Sequence, residues 1–311
     1  MPDHDENSCY RGRFAPTPSG ELHFGSLVAA VGSYLEARSH RGEWYLRMED
    51  LDRTREVKGA AASILLTLEK LGFQWDGEVI YQSRRTYAYA DAVERLLKAR
   101  LAYPCGCSRK LIERDAKNGA EGAIYPGTCR GGLGKGITQR SIRLLTTDQT
   151  ITIEDSVQGL ISQQLNREIG DFVIRRADGY HAYQLAVVID DAWQGITDII
   201  RGVDLLSSTP RQYYLQQLLQ LPHPGYAHLP LAVDNHGRKL SKQYKDAPVD
   251  SRRPVEALTQ ALDFLNQPLP PQLPESLESF WEWAISSWSL ARVPAELQIP
   301  ATSRRNLNSF R

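Results

Sequence analysis

Apolar positions along this chain recur in two periods, and segments of the two kinds interleave. Leu27 to Ala37 is an apolar stretch of helical character that opens after a run rich in turn formers, Arg13-Phe14-Ala15-Pro16-Thr17-Pro18-Ser19-Gly20. From Glu43 to Glu49 the residues Trp44, Leu46 and Met48 recur at period two, which predicts a half-buried strand. Ala61, Ile64, Leu65, Leu68 and Leu71 have helical spacing and predict an amphipathic helix stopped by Gly72; Tyr89, Val93, Leu96 and Leu97 repeat the pattern before Tyr103-Pro104. Tyr183 to Ile189 is a continuous apolar run of strand length, the kind buried on both faces of a parallel sheet, and Ile196–Ile200 also reads as a strand. Two short helices are expected near the end, Pro254–Phe264 and Leu277–Trp288, either side of the proline-rich stretch Pro268–Pro274. Strands alternating with helices predict an α/β fold, a Rossmann-like doubly wound parallel sheet with its ligand site at the carboxyl ends of the strands.

A length of 311 residues suits about two domains. The pattern divides the chain into 1–104 as the first half of a nucleotide-binding domain, 105–170 as an insertion, 171–245 as the second half, and 246–311 as a short helical appendage. Apolar residues make up 41% and charged ones 24%, with 37 basic against 37 acidic side chains. A neutral chain does not advertise nucleic-acid binding through its bulk charge, so any RNA contact must come from local patches. Arg84-Arg85, Arg175-Arg176, Arg252-Arg253 and Arg304-Arg305 are candidates, though each pair taken alone reads as solvated surface. No apolar run approaches the roughly 20 residues needed to cross a bilayer. The start, Met1 to Ser8, is polar and acidic, and four cysteines in so long a chain do not make a disulfide scaffold. A cytoplasmic monomer with no membrane partner is expected.

Candidate chemistry lies in two motifs about two hundred residues apart, HFGS at His23–Ser26 and KLSKQ at Lys239–Gln243. The first opens the helical stretch, where free backbone N–H groups and the helix dipole favour a phosphate. His23 can hydrogen-bond phosphate oxygens, Gly25 allows close approach of a base or ribose, and Ser26 adds a hydroxyl donor. In the second, Lys239 and Lys242 flank a serine beside the turn formers Asp234-Asn235-His236-Gly237, a cationic loop suited to a triphosphate. Cys105-Gly106-Cys107, followed by Tyr125-Pro126-Gly127-Thr128-Cys129, suggests a thiolate zinc site. Its fourth ligand is open, the distant Cys9 or a water among the candidates, with three ordinary free thiols as the alternative. Arg13 and Arg201 offer guanidinium forks for carboxylates, Glu49 an acceptor for an ammonium, and Tyr183 a hydroxyl. Equally plain readings are a salt bridge of Glu49 with Arg47 or Arg53, and core packing for Tyr183.

Taken together, RFAPTPSGELHFGS, the strand Leu46–Asp52, DFVIRRADGYHAYQLAVVIDD, IIRGVDLL and KLSKQ resemble the class I aminoacyl-tRNA synthetases. More narrowly they resemble the short glutamyl-Q tRNA(Asp) synthetase family, over roughly the first 245 residues. The resemblance implies a ligase that activates L-glutamate with ATP and Mg²⁺ and transfers it to the queuosine base at the wobble position of tRNA(Asp). It assigns glutamate to Arg13, Phe14, Ala15, Pro16, Thr17, Glu49, Tyr183 and Arg201, and ATP to His23, Gly25 and Lys242, with Ser26 and Lys239 beside them. It also implies one Zn²⁺ held by Cys105, Cys107 and Cys129 with Tyr125 completing the set. Ser26 stands where the broad class has a second histidine, and Leu240 and Gln243 depart from the usual second motif. Only 68 residues follow Gln243, too few for the large anticodon-reading region of a full-length glutamyl-tRNA synthetase. Rival readings are a truncated synthetase charging the 3′ end of tRNA(Glu), a non-catalytic RNA- or amino-acid-binding paralogue, and a small-molecule nucleotidyltransferase.

Overall fold

The computed structural model of the chain describes residues 9–119, 121–234, 248–272 and 274–301. Strand β1 (Arg11–Phe14) runs parallel to β2 (Glu43–Met48), with Arg11 opposite Glu43 and Phe14 opposite Leu46, and β2 runs parallel to β3 (Ile80–Tyr81). Helix α1 (Phe24–Ser39) connects the first two strands and α2 (Ala60–Lys70) lies between the next two. The α2 turn ends at Gly72, whose φ of 77° is the left-handed value a residue with a Cβ adopts only at a cost. Helix α1 is buried almost continuously from Leu27 to Ala37, because it is covered on its far side by the two C-terminal helices α8 (Pro254–Phe264) and α9 (Leu277–Ser287).

These C-terminal helices belong to the same core as the first strands. Tyr34, Trp44, Phe73 and Trp281 form an aromatic cluster with centroids 4.7–5.5 Å apart, and Trp281 Nε1 donates to the Leu71 carbonyl at 3.0 Å. Each buried indole contributes a large apolar area to that cluster and keeps its one polar atom satisfied.

The chain then forms α3 (Thr86–Lys98), β4 (Ala102–Cys105), α4 (Arg109–Asp115), the hairpin β5 (Lys117–Gly119) and β6 (Gly122–Ile124), then β7 (Ser141–Leu144). A second hairpin, β8 (Thr150–Asp155) and β9 (Gly159–Gln164), precedes the short helix α5 (Leu165–Glu168) and strand β10 (Val173–Arg175). Strands β10, β7 and β4 make a small antiparallel sheet. Ile142, Leu144, Ile151, Ile153, Leu165 and Phe172 from this stretch share one core with Leu185, Ile199 and Tyr214 further on.

Tyr183 to Ile189, expected as a strand, is instead the start of helix α6 (Tyr183–Gln194), capped by Gly195 at φ 66°. A short run with consecutive buried positions, here Leu185 to Val188, fits either period, and it lies between α3 and α7 (Thr209–Leu219). Strand β2 also departs from a half-buried pattern: Arg47, on the face opposite Trp44, Leu46 and Met48, is fully buried. Between α6 and α7 runs β11 (Asp198–Gly202), which is parallel to β12 (Gly225–Leu229); β13 (Leu231–Val233) then pairs with β14 (Gln298–Pro300).

The two parallel halves abut where β1 meets β11. Arg11 N–H donates to Thr197 Oγ1 at 2.9 Å and Thr197 N–H donates to the Arg11 carbonyl at 3.0 Å. The strand order is therefore β3-β2-β1-β11-β12-β8-β9, and it reverses direction of growth between β1 and β11. That is the switch point of a doubly wound sheet, where the carboxyl ends of adjacent strands leave a crevice. Among the described residues no helix is long and apolar enough to cross a membrane.

Candidate active site

At that crevice lies a cavity of about 620 Å³. Arg13 and Phe14 reach it from the end of β1, Glu49 from the end of β2, Tyr183 from the first turn of α6, and Arg201 and Gly202 from the end of β11. Ala15, Pro16 and Thr17 line it from the loop after β1, and His23, Gly25 and Ser26 from the N-terminus of α1. Every residue expected around glutamate, and His23, Gly25 and Ser26 of the first ATP motif, thus border one cavity. Lys239 and Lys242 lie outside the described residues. The described chain before them includes Leu231 and Ala232 of the cavity wall, and after them Pro248 pairs with His23.

His23 is the N-cap of α1. Its Nδ1 accepts the Ser26 N–H at 3.3 Å and its Nε2 lies 3.0 Å from the Ser26 hydroxyl. The imidazole and hydroxyl therefore stand together at the positive end of a sixteen-residue helix that is fixed in the core.

Beneath the cavity floor lies a buried ionic array that the sequence did not announce. Asp191 of α6 takes Arg13 Nε at 3.1 Å and Arg47 Nη1 at 2.7 Å; Arg47 also reaches Gln194 Oε1 at 2.7 Å and Glu49 at 3.5 Å. Burial opposes charge on Asp191, but the two guanidiniums outweigh it and hold the carboxyl below its ordinary range. Glu49 differs: burial pushes its carboxyl up to about 7, against the pull of Arg47 and Arg13, and its side chain is 10% exposed. The expected Glu49–Arg47 contact exists, yet Arg47 bonds more closely to Asp191. Glu49 is therefore an under-neutralised carboxylate facing the cavity, a placement that suits an incoming cation.

At the end of β11, Arg201 is 4% exposed. It donates from Nε to His228 Nε2 at 3.0 Å and from Nη2 to Thr209 Oγ1 at 2.9 Å, and its Nη1 lies 3.5 Å from the Tyr183 hydroxyl. Tyr183 thus sits beside the arginine at the cavity edge rather than only filling the core.

The cysteine cluster lies elsewhere, at the end of β4. Cys105, Cys107 and Cys129 place their Sγ atoms within 4.8 Å of one another. The Tyr125 hydroxyl is 3.4 Å from Cys105 Sγ and 3.6 Å from Cys107 Sγ, and it accepts the Cys129 N–H at 3.0 Å. Cys9 is exposed and is not among the cluster's residues. Burial raises the Cys105 thiol, but the Tyr125 hydroxyl, the Cys107 backbone and Arg143 overcome it and hold it at about 7. Three sulfurs converging with a phenol oxygen, one already inclined to ionise, fit a tetrahedral Zn²⁺. The lobe is held in shape by Arg130, whose fork grips Asp171 at 2.6 and 2.7 Å.

The arginine pairs expected as RNA patches are largely neutralised. Arg85 is bound to Asp190, Arg176 to Asp52 and Asp178, Arg252 to Asp250 and Arg253 to Glu256; Arg304-Arg305 lies outside the described residues.

The strand-end crevice, the helix N-terminus carrying His23 and the buried guanidiniums at the cavity suit a phosphate and a carboxylate side by side. Residues 10–262 match the family described as tRNA synthetases class I (E and Q), catalytic domain, and the chain belongs to that class. It is 54% identical over 295 residues to a glutamyl-Q tRNA(Asp) synthetase of Chromobacterium violaceum, covering 94% of this chain and 99% of that protein. It is 52% identical to the enzyme of the same name from Aromatoleum aromaticum, covering 94% and 93%. Within the class, the chain belongs to the glutamyl-Q tRNA(Asp) synthetase family. The crystal structure of a glutamate tRNA ligase from Elizabethkingia meningosepticum, in complex with its amino acid, superposes with a TM-score of 0.78 at 25% identity. The superposition covers 93% of this chain and 66% of that one.

Proposed function

We propose that the protein is a ligase that activates L-glutamate with ATP and transfers the glutamyl group to the queuosine base at the wobble position of tRNA(Asp). The single observation that carries this is the convergence of Arg13, Glu49, Tyr183 and Arg201 on the cavity that His23, Gly25 and Ser26 border. A molecule with two carboxylates and one ammonium matches two guanidinium walls facing a carboxylate of raised proton affinity. The relatives' name supports queuosine-bearing tRNA(Asp) as the acceptor.

In the first step the α-carboxylate of glutamate attacks the α-phosphorus of ATP and pyrophosphate leaves. In the second, a hydroxyl of the acceptor base attacks the mixed anhydride and AMP leaves. The chain forms no covalent bond in either step, so its contribution is positioning and charge stabilisation. Arg201 and Arg13 orient carboxylates, Glu49 receives the ammonium with the Tyr183 hydroxyl beside it, and Phe14 to Thr17 supply the backbone wall. His23, Gly25 and Ser26 hold the phosphate and nucleoside end, with Lys239 and Lys242 assigned to the triphosphate. Mg²⁺ neutralises phosphate charge when bound. Zn²⁺ would be held by Cys105, Cys107, Cys129 and Tyr125, and would serve as a structural cross-link of that lobe.

The test is transfer of labelled glutamate, with ATP, to queuosine-containing tRNA(Asp), queuosine-lacking tRNA(Asp) and tRNA(Glu) in parallel. Labelling of the first alone is expected. Labelling of tRNA(Glu) instead would overturn the acceptor and leave the adenylate chemistry standing.

A further inference from the structure

Arg201 and His228 are partners across the parallel strands β11 and β12, in register, so the sheet sets their side chains next to one another. His228 is fully buried, as is Asp155, which reaches it from the end of β8 with Oδ2 2.6 Å from Nδ1. The other carboxylate oxygen, Oδ1, accepts the backbone N–H groups of Val157 at 3.0 Å, Gln158 at 2.8 Å and His228 at 3.1 Å. Asp155 is therefore locked in place by its own turn. An anionic oxygen against Nδ1 requires the proton there, which leaves Nε2 as the acceptor for Arg201 Nε–H. Burial pushes His228 down to about 4, against the pull of Asp155, so the imidazole is neutral at physiological pH and able to accept.

The consequence falls on the guanidinium. Its side edge, Nε and Nη2, is engaged by His228 and Thr209, while Nη1 is left beside Tyr183 on the cavity wall. An arginine with five donors and a flexible stem has many ways to point. Here one edge is anchored and the other is presented to the cavity.

We propose that Asp155 and His228 are positioning residues for substrate binding, a buried carboxylate–imidazole pair that sets the tautomer on which the orientation of Arg201 depends. The proposal rests on the reading of Arg201 as a carboxylate-binding residue. It assigns a role to two side chains that do not border the cavity.

The decisive variant is Asp155→Asn. Its carbonyl oxygen retains the three backbone bonds, but its amide turns N–H toward Nδ1. The imidazole proton must then move to Nε2, where it meets Arg201 Nε–H donor to donor. In glutamate-dependent pyrophosphate exchange, KM for glutamate should rise by on the order of tenfold or more, as for loss of a charged hydrogen bond, with KM for ATP unchanged. Nitrogen-15 spectra of labelled histidine should show the His228 proton on Nδ1 in the parent protein and on Nε2 in the variant. His228→Gln, whose carbonyl can accept from Arg201, should bind glutamate better than His228→Ala, and this pair decides the matter even if Asp155→Asn fails to fold. A shifted proton with unchanged KM for glutamate, or equal defects in His228→Gln and His228→Ala, would overturn the relay. Arg201→Ala separates the two levels: if it leaves KM for glutamate unchanged, the reading of Arg201 itself fails.

Discussion

Replacing Glu49 by glutamine removes a charge that burial disfavours and that the proposed substrate requires, so stability and binding should move in opposite directions. In the folded protein burial raises the Glu49 carboxyl from its ordinary 4.5 to about 7, even with Arg47 and Arg13 pulling it down. A tenfold change in proton affinity is worth about 1.4 kcal/mol, so holding the anion above pH 7 costs about 3 kcal/mol. Because the folded value is the raised one, the associated stability is present below pH 4.5 and lost as pH rises through about 7. Glu49→Gln has no such loss, and Arg13 and Arg47 keep Asp191 as their partner. Urea unfolding without glutamate should find the variant more stable by up to about 3 kcal/mol at pH 8, the gain shrinking toward zero near pH 4.5. Substrate binding should show the converse. In the parent protein Glu49 is about nine-tenths ionised at pH 8 and about one-tenth at pH 6, so KM for glutamate should rise about tenfold between them. In Glu49→Gln it should be high and flat. A parent KM that does not change between pH 6 and pH 8, or a variant less stable than the parent at pH 8, would refute the reasoning.

Asp191→Asn should destabilise the protein by about 3–5 kcal/mol in urea unfolding, because it removes the closest counter-charge of the buried Arg13 and Arg47 guanidiniums and leaves only Glu49, 3.5 Å from Arg47, in its place. Purified protein should carry about one zinc per chain by elemental analysis, and Cys105→Ser should lose it together with several degrees of melting temperature. Metal-free protein that is fully folded and active would remove the structural role of the cluster. Trp281→Ala should cost about 3–5 kcal/mol, since it empties the aromatic cluster and leaves the Leu71 carbonyl without its indole donor; matched denaturant melts measure it.

What the sequence made legible is what is local. The start of α1 at His23, the strand β2 and the span of α8 each follow from residues within one or two turns of each other, where periodicity and turn formers act. The three cysteines were legible because Cys105 and Cys107 stand two apart and Cys129 follows within one insertion, whereas Tyr125 came from the family resemblance alone. The segment Tyr183–Ile189 was misread because its centre, Leu185 to Val188, is buried at four consecutive positions and so carries no period. Its helix is imposed by neighbours and ended by Gly195, a signal that the reading did not use. Asp191 and His228 were missed for a stronger reason. Their partners Arg47 and Asp155 lie 144 and 73 residues away, so only the closed sheet brings them together. The acidic pair Asp190-Asp191 at the end of an apolar run was the one available hint, because a charge there must be compensated.

The distant pairs also explain why the cavity has the charge it has. Arg13, Arg55 and Arg201 border the strand-end crevice together with Glu49 and Asp204, three positive groups against two negative ones when Glu49 is ionised, and Arg47 and Asp191 offset one another beneath it. Asp191 is fully engaged beneath the floor, and His228 is neutral and adds no charge. The excess is thus one positive charge, and glutamate, with two carboxylates and one ammonium, carries one negative. An amino acid with a neutral side chain would satisfy Glu49 yet leave a guanidinium facing the cavity without its carboxylate. Under the proposed placement of glutamate, that uncompensated charge would penalise the wrong substrate and give selectivity through exclusion as well as through attraction.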